Sequence, residues 1–320
     1  METREIRLAR RPHGEPVADD FELATRELAP ADGKLLVRNR FMSVDPYMRG
    51  RMSDRKSYVA PFELGKALQG GAVGELDDGT LVLHQRGWRE HAAVPEDELQ
   101  RVSVPDGVPE SALLGALGMP GMTAWTGLTE IAPVRSGETV FISAATGAVG
   151  SVAAQLAKAR GCRVIGSAGG PEKVKFALDE LGYDVVFDYR TDDPREALRE
   201  GIDVYFDNVG GPQLEAAIGA MRRGGRIAVC GAVSQYNATE LPPGPRNLFM
   251  LVGKRITMRG FIVGDHYGRL GEFHEEAGGL IAAGRLRLAE TVVEGGLEAA
   301  PGAFIDMLRG RYLGKVVVAL

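Results

Sequence analysis

Short apolar runs recur at regular intervals from about residue 138 onward, and this rhythm constrains the possible folds more than any other feature of the chain. Runs without polar alternation are typical of strands buried on both faces, as in a parallel sheet covered by helices. Helical stretches alternate with them, the first marked by apolar residues spaced three and four apart between Val149 and Ala159. The alternation predicts an α/β fold with a doubly wound parallel sheet. The six runs are residues 139–142, 163–166, 184–187, 203–206, 226–229 and 256–261, and the later helices are 172–181, 212–221 and 272–283.

The first part of the chain reads differently. Glycine, proline and aspartate interrupt its short apolar runs every few residues, which is typical of an irregular β-rich unit. Strand-like segments return at 292–293 and 315–319, and because they have no place in the parallel sheet we expect them to rejoin the first unit. We therefore expect a β-rich domain at 1–120, a dinucleotide-binding domain at 121–285, and a return segment at 286–320 that completes the β-rich domain.

Composition excludes several classes of protein. The 320 residues carry 38 basic and 43 acidic side chains, a net charge of −5, so we expect no nucleic-acid and no membrane partner. No run approaches the ~20 apolar residues that a membrane span needs, and no apolar core of a secretory signal follows the charged N-terminus. Cys162 and Cys230 are the only cysteines, which suits a reducing cytoplasm and is too few for a four-cysteine zinc site.

A turn with the sequence AATGAVGS follows the first run of the regular part. In a dinucleotide fold this turn lets backbone N–H groups and the helix N-terminus meet a pyrophosphate. We assign that contact to Gly147, Ala148 and Val149, while Gly150 lets the helix lie against the sheet. Ala145 holds the position of the usual first glycine, a departure from G-x-G-x-x-G, but the turn lies between a strand and a helix as the motif requires. The alternative is an ordinary turn at a helix start.

The end of the second run bears on the choice between NAD and NADP. NAD sites usually place an acidic residue about 20 residues beyond the glycine turn, where it accepts from the ribose 2′-OH. Here that stretch is SAGG at 167–170, which has no acid, and Lys173 follows it. An acid would repel a 2′-phosphate and a lysine attracts one, so the sequence favours NADP. Glu172 is adjacent, but its side chain diverges from that of Lys173 on a helix. The alternative for Lys173 is a solvated surface charge.

Other chemistries lack their motifs. The five histidines show no metal-ligand spacing, and neither G-x-S-x-G nor a phosphate loop of the G-x-x-x-x-G-K-[ST] type occurs. Hydride transfer by a nicotinamide cofactor, without a metal ion, is the chemistry that the motifs favour.

Several longer words of the sequence resemble one family. They are MSVDPYMRGRM at 42–52, GMPGMTA at 118–124, ATGAVGS at 145–151, FDNVGG at 206–211 and CGAVSQYN at 230–237. Together they resemble the zinc-independent branch of the medium-chain dehydrogenase/reductase family that contains leukotriene 12-hydroxydehydrogenase/prostaglandin reductase and 2-alkenal (double-bond) reductases. Such long, ordered words are far more specific than a glycine turn alone.

The resemblance implies a Rossmann NADP-binding domain, a discontinuous β-rich GroES-like catalytic domain, and a homodimer paired through the last strand of the parallel sheet. It implies an NADPH-dependent reductase of the C=C bond of α,β-unsaturated carbonyls. In the family, residues matching Lys173 and Tyr189 hold the 2′-phosphate with backbone help from Gly169. Tyr312 stands where the family often has an asparagine, so that contact is not carried over. The residues that match the nicotinamide side are Asn208, Cys230, Tyr236, Phe261 and Val263.

Reduction of an enone places negative charge on the carbonyl oxygen, and a phenol that donates a hydrogen bond to it lowers the barrier. We assign Tyr236 to the nicotinamide ribose and the catalytic geometry, and Tyr58 to the substrate oxygen. The alternative for both is an amphipathic tyrosine lining a cleft. The expected substrate is a small hydrophobic enone or enal. Two other hypotheses stay open, an NADPH:quinone reductase of the same superfamily and a non-catalytic NADPH-binding protein.

Overall fold

The computed structural model describes residues 1–29, 32–240 and 242–320. None of the helices in these ranges is long and apolar enough to cross a membrane. The strands are β1 (Glu2–Leu8), β2 (Phe21–Glu27), β3 (Lys34–Ser43), β4 (Ala72–Glu75), β5 (Leu81–His84), β6 (His91–Pro95), β7 (Gln100–Arg101), β8 (Thr139–Ile142), β9 (Arg163–Ala168), β10 (Val185–Asp188), β11 (Ile202–Asp207), β12 (Met221–Val229), β13 (Thr257–Gly260), β14 (Glu290–Val293) and β15 (Lys315–Ala319). The helices are α1 (Met48–Arg51), α2 (Met119–Thr126), α3 (Ala148–Ala159), α4 (Pro171–Leu181), α5 (Pro194–Ala197), α6 (Gly211–Ala220), α7 (Met250–Lys254), α8 (Leu270–Ala282) and α9 (Ala300–Leu308).

The chain forms two compact units. The first unit consists of Met1–Leu114 together with Glu290–Leu320, and the second unit consists of Gly115–Ala289. The boundaries expected after residues 120 and 285 differ from these by six and four residues, since the first part ends at 114 and the second at 289.

The first unit contains a seven-stranded sheet in which β14, β15, β3, β4, β5 and β7 are successive neighbours and β6 also pairs with β3. Strand β15 runs antiparallel to β3, with Val317 opposite Ser43, and β14 runs parallel to β15. The strand-like segments near the C-terminus therefore lie in the sheet of the first unit. Strands β1 and β2 form a separate two-stranded antiparallel ladder.

A buried charge fixes the start of β15. Lys315 is only 2% exposed, and its Nζ lies 2.5 Å from Oδ1 of Asp45, 2.5 Å from Oγ of Ser43 and 3.0 Å from the carbonyl oxygen of Val44. An ammonium group has three protons to donate. Because each has an acceptor here, the charge is satisfied away from water, which a buried lysine requires.

The second unit is built on a six-stranded parallel sheet with the order β10-β9-β8-β11-β12-β13. All four residues of β8 are buried, and the ring of Phe141 stacks on that of Tyr205 with centroids 4.7 Å apart. The prediction of a doubly wound parallel sheet is confirmed. The strand order reverses between β8 and β11, and in such sheets ligands bind outside the carboxyl ends of the strands at this point.

Most predicted elements differ from the structure by a few residues at their ends, and two of these differences have a clear physical cause. The helix predicted at 212–221 stops at Ala220, because Met221 adopts an extended conformation (φ −54°, ψ 134°) and begins β12. The run at 256–261 was expected to be a strand throughout, but β13 ends at Gly260.

The residues after β13 are no longer paired with β12, and side-chain contacts fix them instead. The ring of Phe261 meets the rings of Phe206 and His266 edge to face, with centroids 6.4 and 6.3 Å apart. Val263 then begins a 3-10 helix, Val263–Arg269. The prediction that the strand extends to Phe261 is therefore wrong.

A buried histidine joins β3 and β5 in the first unit. Nε2 of His84 lies 2.8 Å from Oδ1 of Asn39, and its Nδ1 accepts a hydrogen bond of 3.0 Å from the backbone N–H of Arg86. The ring is therefore neutral, with its proton on Nε2. Burial, aided by the charges of Arg89 and Arg86, lowers the pKa of His84 to about 4.

This pKa makes stability depend on pH. The folded value of about 4 lies below the ordinary 6.5, so the unfolded chain binds more protons between them. We expect the free energy of unfolding to be largest above 6.5 and to fall as pH decreases toward 4, by up to ~3 kcal/mol. Urea denaturation across this range measures the slope. His84→Gln should reduce this dependence of the unfolding free energy on pH, whereas His13→Gln, at an exposed position, should not. Equal slopes in the wild-type protein and both variants would show that His84 is not the cause.

Candidate functional site

The glycine turn joins β8 to α3 at the carboxyl edge of the parallel sheet. Gly147 directly precedes α3 with an extended backbone (φ −78°, ψ 173°) and no side chain caps the helix. The N–H groups of Ala148 and Val149 lie in the first turn, where a helix has no internal acceptor for them. A Cβ on Gly150 would overlap the carbonyl oxygen of Ala144, so only glycine lets the helix approach the turn this closely.

The strained residue of the turn is Ala144. Its φ is 53°, in the left-handed region that favours glycine. The neighbouring Ala145, which holds the position of the usual first glycine, is buried, and its N–H donates to the carbonyl of Ser167 at 2.9 Å. The tight turn that the motif normally obtains from its first glycine is thus made one residue earlier, while Ala145 ties the turn to β9.

A second set of groups surrounds the end of β9. A Cβ on Gly169 would lie only 2.7 Å from the hydroxyl oxygen of Tyr189, so the phenol lies directly against the Gly169 backbone. Lys173 is partly buried in the first turn of α4. Burial lowers the pKa of Lys173, the charge of Arg190 lowers it further, and Glu172 opposes both. Lys173 and Arg190 are therefore close enough for their positive charges to interact.

Arg190 is a residue that the sequence analysis missed. Its Cζ lies 6.0 Å from the centroid of the Tyr189 ring, and its Nη1 would be 3.6 Å from a Cβ on Gly170. In the described part of the chain, no ion pair joins Lys173 or Arg190 to a carboxylate. The strand pattern of the sequence does not reveal Arg190, because its place depends on the pairing of β10 with β9.

The ends of β11 and β12 bring together Asn208 and Cys230. Asn208 is fixed by Ser143, because its backbone N–H donates to Oγ at 2.9 Å and its Nδ2 donates to the carbonyl at 2.8 Å. Oδ1 of the buried Asp207 accepts from the hydroxyl of Tyr205 at 2.7 Å. Burial of the sulfur, together with the charge of Asp207, raises the pKa of Cys230 to about 12. The thiol is therefore protonated at neutral pH.

Tyr236 lies beside the same two strand ends. It follows a short 3-10 helix, Val233–Gln235, and is half-buried. A Cβ on Gly231 would lie 3.3 Å from the Tyr236 hydroxyl, so this oxygen is close to the backbone that leaves β12. Phe261 and Val263 follow the next strand, β13. Asn208, Cys230, Tyr236 and Phe261 thus follow the carboxyl ends of neighbouring strands in the parallel sheet.

Tyr58 belongs to the first unit, in the loop after α1, and is 65% exposed. Its neighbours are Tyr47 and Arg51, with which it interacts electrostatically. Burial raises the pKa of Tyr47, the charge of Asp45 adds to this, and Arg51 opposes it. Tyr47 is therefore a neutral phenol that can donate a hydrogen bond at physiological pH.

The arginines near this loop have structural partners. Arg51 donates to the carbonyl of Ala60 at 2.9 Å, and its guanidinium lies 4.0 Å over the ring of Phe62. Arg49 is buried and donates to the carbonyl of Gly14 at 2.6 Å. Arg51 therefore braces the backbone of the loop, whereas Arg49 ties α1 to the segment after β1. Among the described residues, no group of three or more histidine, cysteine or acidic side chains is arranged to hold a metal ion.

Two protein-family profiles match the chain. Residues 4–102 match the N-terminal domain of oxidoreductases, and residues 148–280 match the family called zinc-binding dehydrogenase. The second match runs from the start of α3 through β13 into α8, and so includes the ends of β9, β11, β12 and β13 described above, while β8 and Gly147 lie just before it.

Curated relatives span almost the whole chain. The NADPH-dependent curcumin reductase of Escherichia coli K12 is 43% identical over 97% of this chain and 95% of its own. The NADP(+)-dependent 2-alkenal reductase of Nicotiana tabacum is 42% identical over 95% of this chain and 94% of its own. Prostaglandin reductase 1 of Oryctolagus cuniculus is 40% identical over 95% of this chain and 89% of its own.

Solved structures agree with these relatives. CurA of Vibrio vulnificus, crystallised with NADPH, is 43% identical and superposes with a TM-score of 0.94 over 99% of this chain and 98% of its own. The quinone oxidoreductase of Escherichia coli, also solved with NADPH, has a TM-score of 0.79 over 99% of this chain and 100% of its own, but only 21% identity. The latter similarity shows the fold alone.

Proposed function

The chain belongs to the zinc-independent branch of the medium-chain dehydrogenase/reductase family, and we propose from this that it reduces the C=C bond of α,β-unsaturated carbonyls with NADPH. The reductases that are 40–43% identical to it carry curcumin, prostaglandin and 2-alkenal in their names. The observation that carries the cofactor assignment is the end of β9, which has no acid. There the phenol of Tyr189 lies against the backbone of Gly169, and the cations of Lys173 and Arg190 interact with each other.

The residues present fit NADPH at three places. The N–H groups of Ala148 and Val149, next to Gly147, suit a pyrophosphate at a helix N-terminus. Lys173 and Arg190 suit the dianionic 2′-phosphate, which also relieves the repulsion between the two cations. The same fit assigns the Tyr189 hydroxyl and the backbone of Gly169 to the 2′-phosphate. The nicotinamide is assigned to the strand ends that carry Asn208, Cys230, Tyr236, Phe261 and Val263.

NADPH supplies the hydride, which goes to the β-carbon of the substrate. The electron pair of the alkene then moves onto the carbonyl oxygen as an enolate, and a proton from water or a tyrosine completes the α-carbon. We assign to Tyr58 the hydrogen bond that stabilises this oxygen, with Tyr47 and Arg51 as its neighbours in the loop. Tyr236 holds the nicotinamide ribose and so the direction of hydride transfer.

The reaction class is tested by following NADPH oxidation with a panel of substrates. We expect turnover with 2-alkenals and hydrophobic enones, slower turnover with simple quinones, and little with NADH. Turnover with quinones alone would favour a quinone reductase. Tight NADPH binding without turnover of any enone, quinone or aldehyde would indicate a non-catalytic NADPH-binding protein.

Removing a phosphate-binding cation should change the choice of cofactor. A charge-assisted hydrogen bond contributes about 1.5–3 kcal/mol, so Lys173→Ala and Arg190→Ala should each raise KM for NADPH about 10–100-fold and leave KM for NADH nearly unchanged. Lys175→Ala is the matched control, because Lys175 lies on the same helix but is exposed and paired with Asp179. If KM for both nucleotides rises equally, the 2′-phosphate assignment is wrong.

Removing one hydroxyl should slow the reaction without preventing binding. Loss of one donor to a developing oxyanion typically costs ~10²–10³ in rate, so we expect such a fall in kcat for Tyr58→Phe on an enone. Tyr236→Phe should lower kcat by ~10²-fold, because a nicotinamide whose ribose is not held is misplaced for hydride transfer. Tyr312→Phe, which removes a phenol outside the proposed machinery, should behave as wild type. Wild-type kcat/KM in both Tyr236→Phe and Tyr58→Phe would overturn the assignment.

The edge of the parallel sheet supports a homodimer. All four residues of β13 are exposed, and the strand is the last in the sheet order of the described residues. Met258, within the strand, is 39% exposed, and Phe249 and Val252, which precede the strand in the chain, are 83% and 69% exposed. An exposed strand edge with apolar neighbours is a template for pairing with a second chain. We propose that two copies pair through β13.

Sedimentation velocity tests this pairing. The wild-type chain should sediment as a dimer, and Met258→Lys should shift it toward monomer because a charge on the edge strand opposes pairing. Leu178→Lys is the matched control, since Leu178 is also 39% exposed but lies on α4. A monomeric wild-type protein, or the same shift in both variants, would show that β13 is not the interface.

A cytoplasmic location is supported by the two cysteines, which are both free thiols. Burial raises the pKa of Cys162 and of Cys230, so little of the oxidisable thiolate forms at either residue. Free thiols of this kind are typical of a reducing compartment. Recovery of the protein in a secreted or membrane fraction of the producing cell would contradict this location.

A further inference from the structure

The second unit contains a π-helical turn, Gly127–Ile131, that continues α2. Such turns are rare and are found mostly at functional sites. A Cβ on Gly127 would overlap the ring of Phe206, so the ring of this β11 residue occupies the space that a side chain at Gly127 would need. The turn is therefore packed directly against the strand that ends in Asp207 and leads to Asn208.

Aromatic contacts continue from Phe206 to the segment after β13. The edge-to-face pair of Phe206 and Phe261 is followed by a second edge-to-face pair of Phe261 and His266, with interplanar angles of 87° and 79°. His266 lies in the 3-10 helix Val263–Arg269, so one row of rings runs from β11 to this helix.

The carboxylate of Glu130 connects the π-helical turn to the 3-10 helix after β13. Oε2 of Glu130, in the π-helical turn, lies 2.8 Å from Nδ1 of His266, and its Oε1 lies 3.0 Å from Nη1 of Arg269. The side chains of Glu130 and His266 are 23% and 14% exposed. The π-helical turn therefore contacts the segment after β13 in two ways. Gly127 packs on Phe206, which packs on Phe261, and Glu130 binds His266 and Arg269.

The opposite side of the turn is also fixed. Arg160, at the end of α3, donates to the carbonyl of Leu128 at 3.1 Å and to Oγ1 of Thr129 at 2.9 Å. Its guanidinium also pairs with Glu276, which accepts from Nε1 of Trp125 at 2.6 Å. The helix that begins at the glycine turn and the segment after β13 are therefore tied to the same π-helical turn.

We propose that Glu130, acting through His266, is a positioning residue that sets the place of Phe261–Val263 relative to the strand ends of β11 and β12. The inference rests on the proposed function, in which this segment borders the nicotinamide. This segment begins after β13 ends at Gly260, so it belongs to none of the strands in the described residues and strand pairing within the chain does not fix it. Side-chain contacts must therefore supply the precision that hydride transfer requires, because a misplacement of about 1 Å can cost ~10²-fold in rate.

The test compares Glu130→Ala with Glu272→Ala. Glu272 is the matched control because it also pairs with Arg269, at 2.5 Å, but is exposed and not among the partners of His266. We expect Glu130→Ala to lower kcat about 10–100-fold, while the Kd of NADPH changes less than about threefold because the phosphate contacts persist. With NADPH deuterated at C4, the isotope effect should increase as hydride transfer becomes more limiting. Glu272→Ala should match wild type in all three measurements.

Additional measurements separate positioning from loss of fold. The stoichiometry of NADPH binding reports the folded fraction, and the emission spectrum of bound NADPH reports the surroundings of the nicotinamide. Should Glu130→Ala not fold, His266→Phe takes its place, since it keeps a ring beside Phe261 and removes the bond to Glu130. It should show the same fall in kcat at nearly constant Kd.

The inference is overturned if Glu130→Ala and Glu272→Ala lose kcat equally, if kcat is unchanged, or if the loss equals the loss in NADPH stoichiometry. Failure of the proposed function is distinguishable from these results, because it appears in the wild-type protein as an absence of NADPH oxidation with every enone. In that case the inference fails together with the function, before any variant is compared.

Discussion

The buried ion pair between Lys315 and Asp45 is the interaction on which the first unit depends. The whole second unit is inserted in sequence between Leu114 and Glu290, so the first unit is complete only when the last segment returns to it. Pairing of β15 with β3 brings the lysine to Ser43 and Asp45, and the pair then fixes the register. A buried charge that loses its partner destabilises a protein by about 3–5 kcal/mol, so a shifted return strand is strongly disfavoured. The residues next to Asp45 lead to Tyr47 and the loop that carries Tyr58.

The two ends of the proposed cofactor site depend on different physics. At the end of β9, charge dominates, and Lys173 and Arg190 can follow a phosphate with flexible side chains. At the ends of β11 and β13, fixed short-range contacts dominate. Asn208 is held by hydrogen bonds to Ser143, and Phe261 is held by packing against neighbouring rings. Binding tolerates small displacements, whereas hydride transfer between two carbons does not. The division places the rigid contacts where the proposed chemistry needs them.

The parallel sheet could be predicted because strands buried on both faces leave continuous apolar runs in the sequence, as at β8. The glycine turn could be placed because it lies between such a strand and a helix. Arg190 could not be found from periodicity, since its role depends on β10 lying beside β9. Phe261 was predicted to lie in a strand because it is apolar and continues an apolar run. Its actual partners, Phe206 and His266, are set by tertiary packing. Glu130 is far from His266 in sequence, so no local pattern reveals their contact.

The high pKa of Cys230 has a consequence for a protein that handles electrophilic alkenes. Only the thiolate adds to such compounds at a useful rate, and the raised pKa of Cys230 keeps its sulfur protonated at pH 7. The enclosed sulfur and the neighbouring carboxylate of Asp207 thus make this cysteine a poor target for alkylation. If Cys230 borders the nicotinamide as proposed, the protein keeps a small, polarisable side chain there that resists covalent inactivation by an electrophilic alkene.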